Sequence, residues 1–271
     1  MTCSSKIVVF DLDETLGYFM ELGMFWDALN GYINNKNLKI KIDQELFNNI
    51  LDLYPEFLRP NIKGILNYLK HKKEKNHCDK LMIYTNNQGP IEWAKFIMNY
   101  FENKIDYKIF DQIIGAFKIQ GKRVELCRTT HMKTHNDFIK CTKVPENTQI
   151  CFLDDVFYPG MSNEKIYYIN IKPYIHDLDF NEMITRFLES DLEIKIEDQL
   201  YFRDYILTFM KKYNYIYIKK NIEVQNIDVI LSKKILQHLH LFFKMKPIGS
   251  NNKTHRIIKR YKKHNKTLKN M

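Results

Sequence analysis

Asp11 and Asp13 stand two residues apart, directly after the apolar run Ile7-Val8-Val9-Phe10. Residues i and i+2 of a strand point to the same side. As the chain leaves the run, the two carboxylates can face one small volume, with the Leu12 side chain turned away. That placement suits a two-part task in which one carboxylate attacks and the other handles a proton. Asp-x-Asp is also an ordinary turn after a strand, so the reading depends on what else the chain brings to the same place.

Two further short apolar runs end in polar groups. Leu81-Met82-Ile83-Tyr84 leads into Thr85-Asn86, and Ile150-Cys151-Phe152-Leu153 leads into Asp154-Asp155. Between them Lys133 precedes a short helical stretch through Phe138 and Ile139, with Lys140 and Lys143 as competing cations. His131 and His135 lie four apart, but with no third ligand or adjacent acid in the pattern they read as surface histidines.

The intervening segments must position these groups. After Pro60, Ile62, Ile65, Leu66 and Leu69 recur at helical spacing, and Pro90 opens a second helix with a stripe of Trp93, Phe96, Ile97, Tyr100 and Phe101. Ile109 to Ile114 and Ile166 to Ile171 resemble strands, and Pro173 stops the latter from running on inside a sheet. Continuous apolar strands alternating with helices predict an α/β fold: a parallel, doubly wound sheet with helices on both faces and ligands at the carboxyl ends of the strands. Leu16 to Leu58, with Gly17, Gly23, Phe25 and Trp26 ahead of a helix through Leu46, Phe47, Ile50 and Leu51, is expected to form a flap. Asn86 to Lys133 adds only a basic loop around Lys118 to Arg123. The cap is therefore expected to be small or absent and the site open.

The set Asp11-Leu12-Asp13-Glu14-Thr15, Thr85, Lys133 and Asp154-Asp155 resembles the haloacid dehalogenase (HAD) superfamily, whose Rossmannoid sheet carries these groups in this order. Within it, Asp11 to Leu16 and Arg59-Pro60 resemble the FCP/SCP-type phosphatases, also called NLI-interacting-factor-like. The chain departs from that pattern at Gly17-Tyr18, where the family usually has His, and at Asp154-Asp155-Val156, where it often has Asp-Asn-Ser. The substrate of those phosphatases, the carboxy-terminal domain of RNA polymerase II, therefore does not follow. Lys133 to Asp155 and Tyr167 to Tyr174 also resemble HAD-like proteins of large DNA viruses. The superfamily resemblance implies that Asp11 attacks phosphorus and that Asp13 protonates the leaving group. It also implies that Thr85, the Asn86 N–H and Lys133 bind the phosphoryl oxygens. Asp11, the Asp13 carbonyl, Asp154 and Asp155 would surround Mg²⁺, a hard cation suited to oxygen donors; which of Asp154 and Asp155 touches it stays open, as does the choice among the three lysines.

The chain of 271 residues is long enough for one catalytic domain and a remainder. We expect a HAD-like domain over 1–185, a helical appendage over 186–246, in which Phe202, Ile206, Phe209, Met210 and Tyr213 keep helical spacing, and a basic tail over 247–271. Residues 229–271 hold 12 of the 42 Lys and Arg and no Asp or Glu, so this end carries the whole net charge of +10. Such an end attracts nucleic acid or an acidic protein, or only solubilises. Five cysteines without a Cys-x-x-Cys pair suggest a reduced, intracellular setting, with Cys151 a core residue. No stretch approaches the length of a membrane span, and no membrane partner is expected.

Together these features lead to a Mg²⁺-dependent phosphomonoester hydrolase acting through an aspartyl-phosphate on a phosphorylated macromolecule, a phosphoprotein first. The alternatives are a polynucleotide 3′-phosphatase and a non-catalytic binding protein that keeps the fold.

Overall fold

The computed structural model describes residues 5–192, 194 and 196–246. Five parallel strands form a sheet in the order β3-β2-β1-β6-β7, comprising β1 (Lys6–Phe10), β2 (Lys80–Tyr84), β3 (Gln112–Ile114), β6 (Gln149–Asp154) and β7 (Ile166–Asn170). β4 (Lys118–Ile119) and β5 (Lys122–Arg123) make a separate small antiparallel hairpin. Helices α1 (Met20–Asn35), α2 (Gln44–Asp52), α3 (Ile62–Glu74), α4 (Ile91–Ile105), α5 (His135–Thr142), α6 (Phe180–Leu188), α7 (Gln199–Lys211) and α8 (Ile222–Lys244) complete a Rossmann-like α/β fold. β3 is shorter than the stretch Ile109 to Ile114 that suggested it.

The central strands β1, β2 and β6 are apolar between their ends because each side of the sheet is covered. Val8 and Phe10, Leu81 and Ile83, and Cys151 and Leu153 enter one large apolar cluster. Their alternating neighbours Ile7 and Val9, Met82 and Tyr84, and Ile150 and Phe152 enter a smaller one with Phe138 of α5, Val144, Tyr158 and Met161. The period of two thus sorts each strand between two cores.

The segment expected to be a flap belongs to the larger core instead. Met20–Asn35 is a 16-residue helix, and Phe25, Trp26 and Phe47 are buried. Trp26 meets Phe47 edge-on at 5.3 Å between ring centres, and Phe47 stacks on Phe96 of α4 at 5.1 Å. Gly23 and Gly31 sit within that helix, so glycine spacing there did not mark loops. Gly17 is different: a β-carbon on it would lie 2.5 Å from the Phe57 carbonyl oxygen, an approach only glycine permits.

Phe202, Ile206 and Met210 of α7 and Ile235, Leu239 and Phe242 of α8 share the larger cluster with the sheet. Lys6 of β1 donates through Nζ to the carbonyls of Phe242, Phe243 and Met245 at 3.0, 3.2 and 2.7 Å, satisfying the carboxyl end of α8 with a cation. The basic tail expected over 247–271 lies outside the described residues. Among the described residues, no helix is long and apolar enough to cross a membrane.

Candidate active site

The central strand β1 pairs with β2 on one side and β6 on the other, and the register sets Phe10 beside Ile83 and beside Leu153. One residue further, Asp11 continues the ladder by donating its N–H to the Leu153 carbonyl at 2.9 Å. Asp11 and Asp154 keep the parity of Val9 and Phe152, so both point to the face that α5 covers, while Leu12 is fully buried in the opposite cluster. This is the crevice beside β1 where the strand order reverses, the usual ligand position in an open α/β sheet.

Lys133 enters from the α5 side. Thr134 caps α5 by accepting the Asp137 N–H at 3.1 Å, which fixes the residue before it against the sheet. Lys133 is 1% exposed and donates to Asp11 Oδ1 at 2.6 Å and to Asp154 Oδ2 at 2.7 Å. Burial pulls its pKa down, but the Asp11 and Asp154 charges outweigh that and hold it above the ordinary lysine value. Lys140 and Lys143 are exposed on and after α5. His131 is exposed with its ring edge-on to Phe117, and His135 Nδ1 lies 3.5 Å from the Asn163 amide.

Asp11, Asp154 and Asp155 each offer a carboxylate oxygen within 4.8 Å of the others. Asp154 also accepts the Val156 N–H at 2.9 Å, so both its oxygens are engaged, whereas Asp155 Oδ1 has a longer contact of 3.4 Å from Thr15 Oγ1. Burial, opposed by Lys133 and reinforced by Asp11, pushes Asp154 up to about 7, and burial followed by Asp11 raises Asp155. Three close carboxylates thus face one ammonium, an imbalance that a divalent cation would relieve, and the all-oxygen donor set fits Mg²⁺.

Asp13 does not join that cluster. Its Oδ2 accepts the Asn87 amide at 2.7 Å, and burial, against the Asn87 bond and with the Asp11 charge, pushes its pKa up to about 6. A carboxyl that gains and loses its proton near neutrality can serve as acid and then as base. Glu14 follows with a left-handed backbone, φ +55°. Arg59 braces this turn: Nε donates to the Thr15 carbonyl at 2.6 Å, and Nη2 to the carbonyls of Glu14 and, at 3.0 Å, Lys172.

Thr85 is buried at the end of β2, its N–H bonded to Ile114 at 2.9 Å and its Oγ1 accepting the Asn87 N–H at 3.0 Å. Asn86 donates to Tyr158 Oη at 2.9 Å. Behind them lies Arg128, fully buried, which the sequence did not reveal. It donates to the carbonyls of Thr85 at 3.1 Å, Gly115 at 2.7 Å and His131 at 3.0 Å, and to Asn86 Oδ1 at 2.8 Å. It thereby ties the ends of β2 and β3 to the segment bearing Lys133. Asn87 also escaped the sequence reading, although Asn-Asn-Gln-Gly is turn composition and Asn87 Oδ1 does accept the Gly89 N–H at 2.8 Å.

The expectation of wholly reduced cysteines is corrected at one pair: Cys127 and Cys141 form a disulfide with α-carbons 5.0 Å apart, closing the segment that contains Arg128 and Lys133. They are 14 residues apart, and only the return of α5 toward the loop brings them together. Cys78 and Cys151 are buried free thiols.

No protein-family model matches this chain, and neither a curated protein nor a solved structure does.

Proposed function

We propose that this protein is a Mg²⁺-assisted phosphomonoester hydrolase that works through an aspartyl-phosphate. The observation that carries the reading is Lys133, buried and shared between Asp11 and Asp154, beside a separate carboxyl, Asp13, held apart by Asn87. A cation buried between carboxylates has a large desolvation cost, and positive charge at this point suits a phosphoryl group bound at the ends of the strands.

In the proposed reaction Asp11 attacks phosphorus in line while the bond from phosphorus to the leaving oxygen breaks. Asp13 gives its proton to that oxygen, then takes one from the water that cleaves the acyl phosphate and restores Asp11. Thr85 Oγ1, the Asn86 N–H and Lys133 Nζ stabilise the phosphoryl oxygens. Asp11, Asp154, Asp155 and the Asp13 carbonyl would hold Mg²⁺, which supplies positive charge to the transferring group. Met132, next to Lys133 in the chain, and Val156 and Phe157, which follow Asp155, are exposed apolar side chains of a kind suited to a peptide around a phosphorylated side chain.

The test is hydrolysis of an aryl phosphate with Mg²⁺ present or chelated. Activity should require the metal and should vanish in Asp11→Asn, and Asp13→Asn should lose turnover. Wild-type activity in purified Asp11→Asn would overturn the mechanism. Phosphopeptides and 3′-phosphorylated oligonucleotides assayed side by side separate the phosphoprotein reading from nucleic-acid end processing.

A further inference from the structure

The connection from α7 to α8 is a loop, Lys212 to Asn221, whose tip is more apolar than a solvated turn needs. Ile216 is 78% and Ile218 69% exposed, with Tyr213 and Tyr217 also exposed. Isolated exposed apolar residues are ordinary, but four within six consecutive residues make a patch. Lysine pairs, Lys211-Lys212 and Lys219-Lys220, bracket it, and residues 205–222 contain no Asp or Glu.

The base of the loop is tied down. Tyr215 turns inward, its hydroxyl 3.2 Å from that of Tyr18 and its ring stacked on Phe180 at 5.9 Å. The Ile218 N–H donates to Asp177 Oδ2 at 3.0 Å. Lys220 folds back to pair with the buried Asp228 and to bond the Ile175 carbonyl. Lys211, Lys212 and Lys219 remain exposed around the apolar tip.

We infer that this loop seats the protein on an anionic lipid surface, with Ile216 and Ile218 entering the boundary between headgroups and acyl chains. Tyrosines favour the membrane–water interface, and lysines can lie along it with their ammonium groups among anionic headgroups. A protein partner fits less well: interface cores are depleted in lysine, and stable interfaces engage about 20–30 residues a side. The contact is interfacial, in keeping with the lack of a spanning helix among the described residues.

The experiment uses the full chain carrying Ile216→Trp, or Ile218→Trp in parallel, mixed with vesicles of phosphatidylcholine alone or with phosphatidylserine added. Anionic vesicles should shift the new indole emission to the blue, and brominated acyl chains should quench it. Lys212→Glu with Lys219→Glu should weaken partitioning about tenfold or more, and Ile216→Ser with Ile218→Ser should weaken it while leaving aryl phosphate turnover unchanged. Three results overturn the inference: no vesicle binding, binding by sedimentation with the new indole unquenched in both variants, which would place the contact in the basic tail, or a blue shift that grows with protein concentration without vesicles, which would indicate a second copy.

Discussion

Asn87 Nδ2 lies 2.7 Å from Asp13 Oδ2 and donates a hydrogen bond to it. The bond favours the ionised carboxylate and opposes the burial that pushes Asp13 up to about 6. In Asn87→Ala the carboxyl should therefore hold its proton to higher pH. If protonated Asp13 drives departure of the leaving group, kcat/KM for an aryl phosphate should fall as pH rises through the Asp13 pKa, and the variant's fall should come later. Lost positioning should lower the rate by about tenfold. Profiles of both proteins that fall at the same pH would remove Asn87 from this role.

Lys133→Met should leave Asp11 and Asp154 facing each other without their shared cation. Breaking a buried pair from one side costs about 3–5 kcal/mol, to be read from urea unfolding. Mg²⁺ should restore more stability to the variant than it adds to wild type, because it replaces part of the missing charge. Turnover should drop at least about a hundredfold, since the phosphoryl oxygens lose a preorganised donor. Unchanged unfolding would show that the ion pair and its desolvation already cancel.

The Cys127–Cys141 bond closes a segment with a sequence separation of 14. Loop-closure entropy for that length corresponds to about 3 kcal/mol. A dithiol reductant should lower wild-type stability by roughly this amount and leave Cys127→Ser/Cys141→Ser unaffected. Turnover should also fall on reduction, because Arg128 and Lys133 both lie inside the closed segment. Equal unfolding curves with and without reductant would show that the bond adds nothing to the fold.

Glu21 is fully buried at the start of α1. Burial raises its pKa to about 7 from an ordinary value of 4.5, with the nearby Asp177 charge adding to the shift and bonds from its own backbone, the Tyr215 hydroxyl and the Leu178 N–H opposing it. The folded state thus binds this proton more tightly than the unfolded one. The resulting stability is complete below about pH 4.5 and is lost as pH rises through about 7, a change of up to about 3 kcal/mol. Glu21→Gln should flatten this part of the stability profile. Parallel wild-type and variant slopes would place the titration elsewhere.

Much of this site could be read along the chain because a parallel sheet converts local order into spatial order. Once Ile7–Phe10, Leu81–Tyr84 and Ile150–Leu153 are adjacent strands, Asp11, Thr85 and Asp154 must emerge together at one end, and parity alone sends Leu12 away from Asp11. Lys133 was legible as the lysine ahead of the short helix, with Lys140 and Lys143 as competitors. Packing separates the three, since Thr134 caps α5 and Phe138 anchors it, which carries Lys133 between two carboxylates and leaves Lys140 and Lys143 in solvent. Arg128 and Asn87 gave no comparable signal: what distinguishes them is four acceptors converging on one buried guanidinium and one amide meeting Asp13 across 74 residues. The supposed flap failed for the same reason, because Leu22, Phe25, Trp26, Leu29 and Ile33 recur at helical spacing and only the presence of α2, α4 and α7 makes that helix part of the core. Composition and strand-end chemistry thus determined where the polar strand-end groups gather, whereas long-range packing decided which cation they face and what holds them still.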